Sequence, residues 1–144
     1  MKTESAFWDT SAIVPLCCHQ DDSLAARRLA RQYRKLVVWW GTRVEAHSAL
    51  ARLFREKEIT STELRRALAK LSSLRANQSI ILPSDRVGDL AEEVIDKSAL
   101  RAGDALQLAA ALAWCNHDPR HRLFVCLDQR LSEAAQKAGF TVLP

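Results

Sequence analysis

The chain has 144 residues, of which 48% are hydrophobic and 26% charged. That is the balance of an ordinary globular protein, with enough chain for one sizeable core. The formal net charge of +4 is compatible with a polyanionic partner without demanding one. The sequence carries no low-complexity tract, no repeat at solenoid spacing and no apolar stretch long enough to span a membrane. Its first residues, Met1-Lys2-Thr3-Glu4-Ser5, include an acid and lead into a short apolar run broken by Asp9, which is not the pattern of a signal peptide. Cys17, Cys18, Cys115 and Cys126 form no CxxC pair and each lies in an apolar segment. They read as reduced core residues, and the expected location is cytoplasmic.

In chain order, Ser5-Ala6-Phe7-Trp8 is a strand candidate ending on Asp9. Thr10 and Ser11 open a helix in which Pro15 is expected to be tolerated only in the first turn. Asp21, Asp22 and Ser23 offer caps for a second helix from Leu24 to about Tyr33. Leu36-Val37-Val38-Trp39-Trp40 is β-branched and aromatic, a buried strand with Trp39 and Trp40 on opposite faces, both expected beneath helices. Gly41 breaks it, and Thr42 starts a long helix followed by another from Thr62 to about Leu74. Ser79-Ile80-Ile81-Leu82 is a third strand stopped by Pro83, and Ser84 or Asp85 caps a helix running to Ser98.

The stretch Leu100 to Trp114, LRAGDALQLAAALAW, is a helix apolar on most of its surface, with Asp104 at its front. A polar loop from Asn116 to Arg122 precedes the clearest strand, Leu123 to Leu127, which ends on Asp128. A last helix, Leu131 to Ala138, stops at Gly139, and Thr141-Val142-Leu143 is an edge-strand candidate. Strands alternating with helices, with no dividing linker, predict one α/β domain over residues 1–144, built on a central, mainly parallel sheet.

Strand-to-helix connections of a parallel sheet share one edge, where ligands bind. Asp9 ends the first strand, Asp128 ends the fourth, and Glu45 lies in the first helical turn after the second. Topology thus sends three distant acids to one edge, whereas Asp104 follows a helix and is not placed by it. Each has a plainer reading. Asp104 is a helix cap, Thr42-Arg43-Val44-Glu45 fits a capping box, Asp9-Thr10-Ser11 a turn and cap, and Asp128 a turn residue. Gathered carboxylates repel and bind protons more tightly unless a cation is present, and an all-oxygen set suits Mg²⁺ or Mn²⁺ rather than zinc.

Phe7-Trp8-Asp9-Thr10-Ser11-Ala12, Glu45 at a helix start, LRAGDALQLAAA and LDQRLSEAAQKAGF resemble the four motifs of PIN-domain ribonucleases. The similarity is greatest to the VapC-type toxins of toxin–antitoxin pairs, and the motifs occur in family order across nearly the whole chain. The resemblance implies a three-layer α/β/α fold and a metal-dependent endoribonuclease, with Mg²⁺ (or Mn²⁺) as cofactor, RNA as substrate, a cognate antitoxin and a homodimer. It makes Asp9, Glu45, Asp104 and Asp128 the acidic quartet. Asp9 and Asp104 would contact metal directly, Glu45 and Asp128 directly or through water, and Ser11 would support the first acid. Two positions depart from the family pattern. Cys126 stands where Thr or Ser is frequent, and Gln107 where His is.

The basic residues Arg101 and Arg130 neighbour motif acids and are candidates for holding RNA. Further basic clusters, Arg27-Arg28-Arg31-Arg34-Lys35 and Arg65-Arg66-Lys70, read equally as solvated helix faces. The helix pair Ala46–Lys57 and Thr62–Leu74 is the expected antitoxin contact, or ordinary core packing. Three rival readings stand beside the nuclease. A haloacid-dehalogenase-type phosphatase needs a second Asp where Ser11 stands. A zinc module would use Cys115, His117, His121 and a ligand such as Cys126 without a common finger spacing. A non-catalytic PIN-like binding module is opposed only by the intact quartet.

Overall fold

A computed structural model describes residues 5–144; residues 1–4, the start of the N-terminal segment discussed above, lie outside it. Short β-branched and aromatic runs build the strands β1 (Ser5–Trp8), β2 (Lys35–Trp39), β3 (Gln78–Ile81), β4 (Leu123–Val125) and β5 (Thr141–Leu143). Every pairing among them is parallel, in the order β3-β2-β1-β4-β5. The helices are α1 (Thr10–Cys17), α2 (Ser23–Gln32), α3 (Thr42–Arg55), α4 (Ser61–Leu74), α5 (Asp85–Lys97), α6 (Ala102–Trp114) and α7 (Gln129–Ala138).

The two-residue period of a strand sorts the core into two faces. Phe7, Val37 and Phe124 pack with α5, α6 and α7, while Ala6, Trp8, Leu36, Val38 and Val125 pack with α1 to α4. The result is the expected three-layer α/β/α fold. On the first face, Phe124 lies 5.4 Å, centroid to centroid, from both Phe7 and Phe140. The alanines at 105, 109, 110 and 111 are wholly buried, which lets α6 lie close against the sheet and α5.

The chain steps outward from β1 through β2 to β3, then returns to place β4 on the other side of β1. The carboxyl ends of β1 and β4 therefore flank the topological switch point, the crevice where open parallel sheets bind ligands.

Several local expectations are corrected. Pro15 is buried inside α1, beyond its first turn; the surrounding apolar packing holds a residue that an isolated helix would exclude. Trp39 is buried, but Trp40 is 40% exposed and carries the Arg43 guanidinium 5.1 Å from its ring centroid. The capping box belongs to Thr60 and Glu63 at the start of α4, not to Thr42 and Glu45, because the N-cap of α3 is Gly41. The left-handed φ of 115° at Gly139 ends α7, and a Cβ there would meet Pro119 at 2.9 Å.

Candidate functional site

Four helix starts meet at the switch-point edge, and each contributes one acid. Asp9 is the N-cap of α1, its Oδ2 accepting the Ser11 N–H at 3.0 Å. Asp128 caps α7 in the same way, accepting the Leu131 N–H at 2.9 Å. For these two the plain capping role and membership of the edge cluster hold together. Glu45 and Asp104 lie in the first turns of α3 and α6 without capping them; the N-cap of α6 is Arg101, with no side-chain cap bond. Neither acid is thus accounted for by helix termination.

The acids are close enough to act on one another. Asp9 is 5% exposed, and burial raises its carboxyl above the usual range against the opposing pull of the Ser11 hydrogen bonds. Glu45 is raised by burial and by the charges of Asp9 and Asp104. Asp104 is raised by burial, then by Asp9 and Asp128, with Arg101 pulling the other way. Among the described residues the ion pairs are Arg52–Glu56 and Arg120–Asp118, so no basic side chain is paired with any of the four. The positive ends of four helix dipoles offset part of this charge.

Excess negative charge on hard oxygen donors fits a Mg²⁺- or Mn²⁺-class ion. As placed, no three His, Cys, Asp or Glu side chains among the described residues converge to enclose a metal. An ion of this class keeps several waters and takes one or two carboxylates together with substrate phosphate, so an open edge of this kind is chemically suited to it.

Ser11 ties the site to the sheet. Its Oγ accepts the Leu127 N–H at 2.9 Å, linking the start of α1 to the segment after β4. Cys126, in the place where a hydroxyl residue is frequent in PIN domains, directs its thiol at Asp9 Oδ2 from 3.7 Å. Burial and the Asp9 charge push this thiol up to about 12, so it is an inert, weak hydrogen-bonding group. The zinc reading does not assemble: the Cys126 thiol is engaged with Asp9 and the Asp128 carbonyl, the Cys115 thiol with the Leu112 carbonyl.

Gln107, in the sequence only a departure from a frequent His, is wholly buried and its Nε2 reaches Thr10, Thr42 and Glu45. The available signal was an amide in an otherwise apolar helix, three residues after Asp104, because a buried amide requires partners.

No protein-family model matches the chain, and no curated protein sequence does. Solved structures do match. One chain of the VapBC2 complex of Rickettsia felis, bound to a DNA fragment from its promoter, aligns with a TM-score of 0.66 and 12% identity, over 97% of this chain and 99% of that one. The protein PAE2754 of Pyrobaculum aerophilum aligns with a TM-score of 0.58 and 20% identity, over 96% of this chain and 90% of that one. At these identities the likeness is one of fold. Across almost its whole length the chain shares the three-layer α/β/α architecture of a component of VapBC2.

Proposed function

We propose that the chain is a Mg²⁺- or Mn²⁺-dependent endoribonuclease, the toxin of a toxin–antitoxin pair acting in the cytoplasm as a homodimer. The observation that carries the reading is the meeting of Asp9, Glu45, Asp104 and Asp128 at the switch point, mutually repelling and unpaired with any basic side chain. The motif resemblance to PIN-domain ribonucleases and a fold shared with a chain of VapBC2 point the same way. Among the described residues, no helix is long and apolar enough to cross a membrane.

In this reading Asp9 and Asp104 hold the cation, with Glu45 and Asp128 completing the site directly or through water. The bound ion would supply Lewis-acid stabilisation of charge developing on the scissile phosphate and would lower the pKa of attacking water. The four carboxylates orient that water in line with the leaving oxygen, and Arg101 and Arg130, both exposed, hold the flanking phosphates. Water as nucleophile leaves a 5′-phosphate.

The antitoxin is assigned to the cleft of about 560 Å³ between α3 and α4, lined by Arg43, Val44, His47, Leu68, Leu71 and Arg75. There an apolar segment bearing acids would find matching chemistry.

The test is cleavage of a cellular RNA pool by purified protein with Mg²⁺, Mn²⁺ or EDTA, with Asp104→Asn alongside. Metal-dependent cutting lost in the variant, with 5′-phosphate ends, is expected. A 2′,3′-cyclic end would overturn the water mechanism. No cutting by folded, antitoxin-free protein under any metal would favour the non-catalytic binding module.

A further inference from the structure

Gln107 is the only polar residue among the buried side chains of α6. Its Nε2 lies 2.9 Å from Thr10 Oγ1, 2.9 Å from Thr42 Oγ1 and 3.0 Å from Glu45 Oε1. An amide nitrogen has two hydrogens for these three acceptors. A hydroxyl can turn its own proton elsewhere and a carboxylate cannot, so one N–H belongs to Glu45, where the bond is charge-assisted, and the threonines share the other. The opposite end of the amide, Oε1, is buried with no hydrogen-bond partner among the described residues. Turning the amide over would set that oxygen against the Glu45 carboxylate, acceptor against acceptor. The charge on Glu45 therefore dictates the orientation of Gln107, even at the expense of a buried carbonyl left unpaired.

The second oxygen of Glu45 is not held in this way. It lies over the first turn of α6, where a Cβ on Gly103 would stand 3.7 Å from Oε2. One oxygen is anchored inside the fold and the other faces the helix start that carries Asp104. The threonines complete the clamp, Thr10 from the first position of α1 and Thr42 from the first position of α3, the helix that also carries Glu45. A single amide on α6 thus ties together three of the helix starts that deliver acids to the edge.

We infer that Gln107 is a positioning residue, fixing Glu45 Oε1 so that Oε2 is presented beside Asp104 to the divalent cation. The assignment rests on the cation site proposed above. Residues that orient metal ligands in this way typically change metal affinity or activity about 10- to 100-fold when removed.

The test is Mn²⁺ binding by calorimetry, without RNA, to the wild type, Gln107→Met, Gln107→His, Glu45→Gln and the double variant Glu45→Gln/Gln107→Met, with melting in EDTA measured in parallel. Methionine preserves length and apolar volume but has no N–H; histidine offers an N–H at similar reach. The expected result is an about 10- to 100-fold weaker Mn²⁺ affinity in Gln107→Met and recovery in Gln107→His. In the Glu45→Gln background, Gln107→Met should add no further loss, because the residue acts through Glu45. Equal Mn²⁺ affinity in wild type and Gln107→Met overturns the positioning role and leaves the cation site standing. A loss that histidine does not recover, or one that persists undiminished in the Glu45→Gln background, marks Gln107 as scaffold and overturns it also. Should the wild type bind no Mn²⁺, the cation-site reading falls, and the role of Gln107 with it.

Discussion

Replacing Asp9 with asparagine should make the protein more stable and inactive. Asp9 is 5% exposed; it accepts the Ser11 N–H at 3.0 Å and lies 3.7 Å from the Cys126 thiol. Asparagine keeps an oxygen for the Ser11 N–H and caps a helix as well as aspartate does, so the substitution removes a charge and little else. Relieving a buried, unpaired carboxylate is worth about 1–3 kcal/mol. For a chain of 144 residues that corresponds to a rise in Tm of about 3–9 °C, at about 3 °C per kcal/mol.

Asp9→Ala separates the two terms. It removes the charge and also the cap, whose loss costs about 1 kcal/mol, so its gain should be smaller. The pH dependence has a definite sign. Burial raises Asp9 above its ordinary value of 3.8, so the folded protein holds that proton more tightly than the unfolded chain. The associated stabilisation is fully present below 3.8 and is lost as pH rises through the raised value. The advantage of Asp9→Asn over the wild type should therefore be largest at neutral pH and close on acidification. Thermal and urea melts in EDTA at several pH values measure it. An Asp9→Asn protein no more stable than wild type at pH 7 would refute the claim that this edge is a cluster of charge only partly compensated by its helix starts. Saturating Mn²⁺ should narrow the gap by stabilising the wild type through mass action.

Cys126→Ser puts a stronger donor beside Asp9 and should raise stability by about 0.5–1.5 kcal/mol; a loss of that size in urea titration would mean the site is shaped for sulfur. Arg101→Ala and Arg130→Ala remove exposed cations beside the acids. Each should raise KM for RNA with kcat nearly unchanged and lower the salt slope of RNA binding by about 1; an equal fall in kcat would instead place the arginine at the reacting phosphate. Thr60→Ala removes the hydroxyl that accepts the Glu63 N–H at 3.1 Å, while the Thr60 backbone N–H can still donate to the Glu63 carboxylate; it should cost about 1 kcal/mol in denaturant melts without altering RNA cleavage. Phe124→Ala, at a wholly buried position between Phe7 and Phe140, should cost about 3–5 kcal/mol; a much smaller loss would mean the two-faced core is misassigned.

Much of this architecture is legible in local pattern. Apolar runs such as Leu36–Trp40 and Leu123–Leu127, punctuated by Gly41, Pro83 and Gly139, mark strands and helix limits to within two residues because β-branched residues, turn residues and helix breakers act within a few positions. Their alternation requires a parallel sheet, which carries Asp9, Glu45 and Asp128 to one edge. The misses were equally physical. Pro15 lies inside α1 because tertiary packing outweighs a local preference. The first turn of α3 satisfied a capping-box pattern that the backbone does not use, since Gly41 takes the cap.

By itself, then, the sequence determined the α/β class, the order of the elements and which acids lie in the connections after strands, since all of these follow from short-range periodicity and topology; that the fourth strand stops at Val125, short of Leu127 and Asp128, it did not. Only the tertiary structure decided that the start of α6 joins that edge, because Asp104 follows a helix and no strand direction constrains it. Only it gave Gln107 a purpose. The amide is satisfied by groups 62, 65 and 97 residues away along the chain, and hydrogen bonds between such distant residues exist only once the sheet and its helices have brought them together.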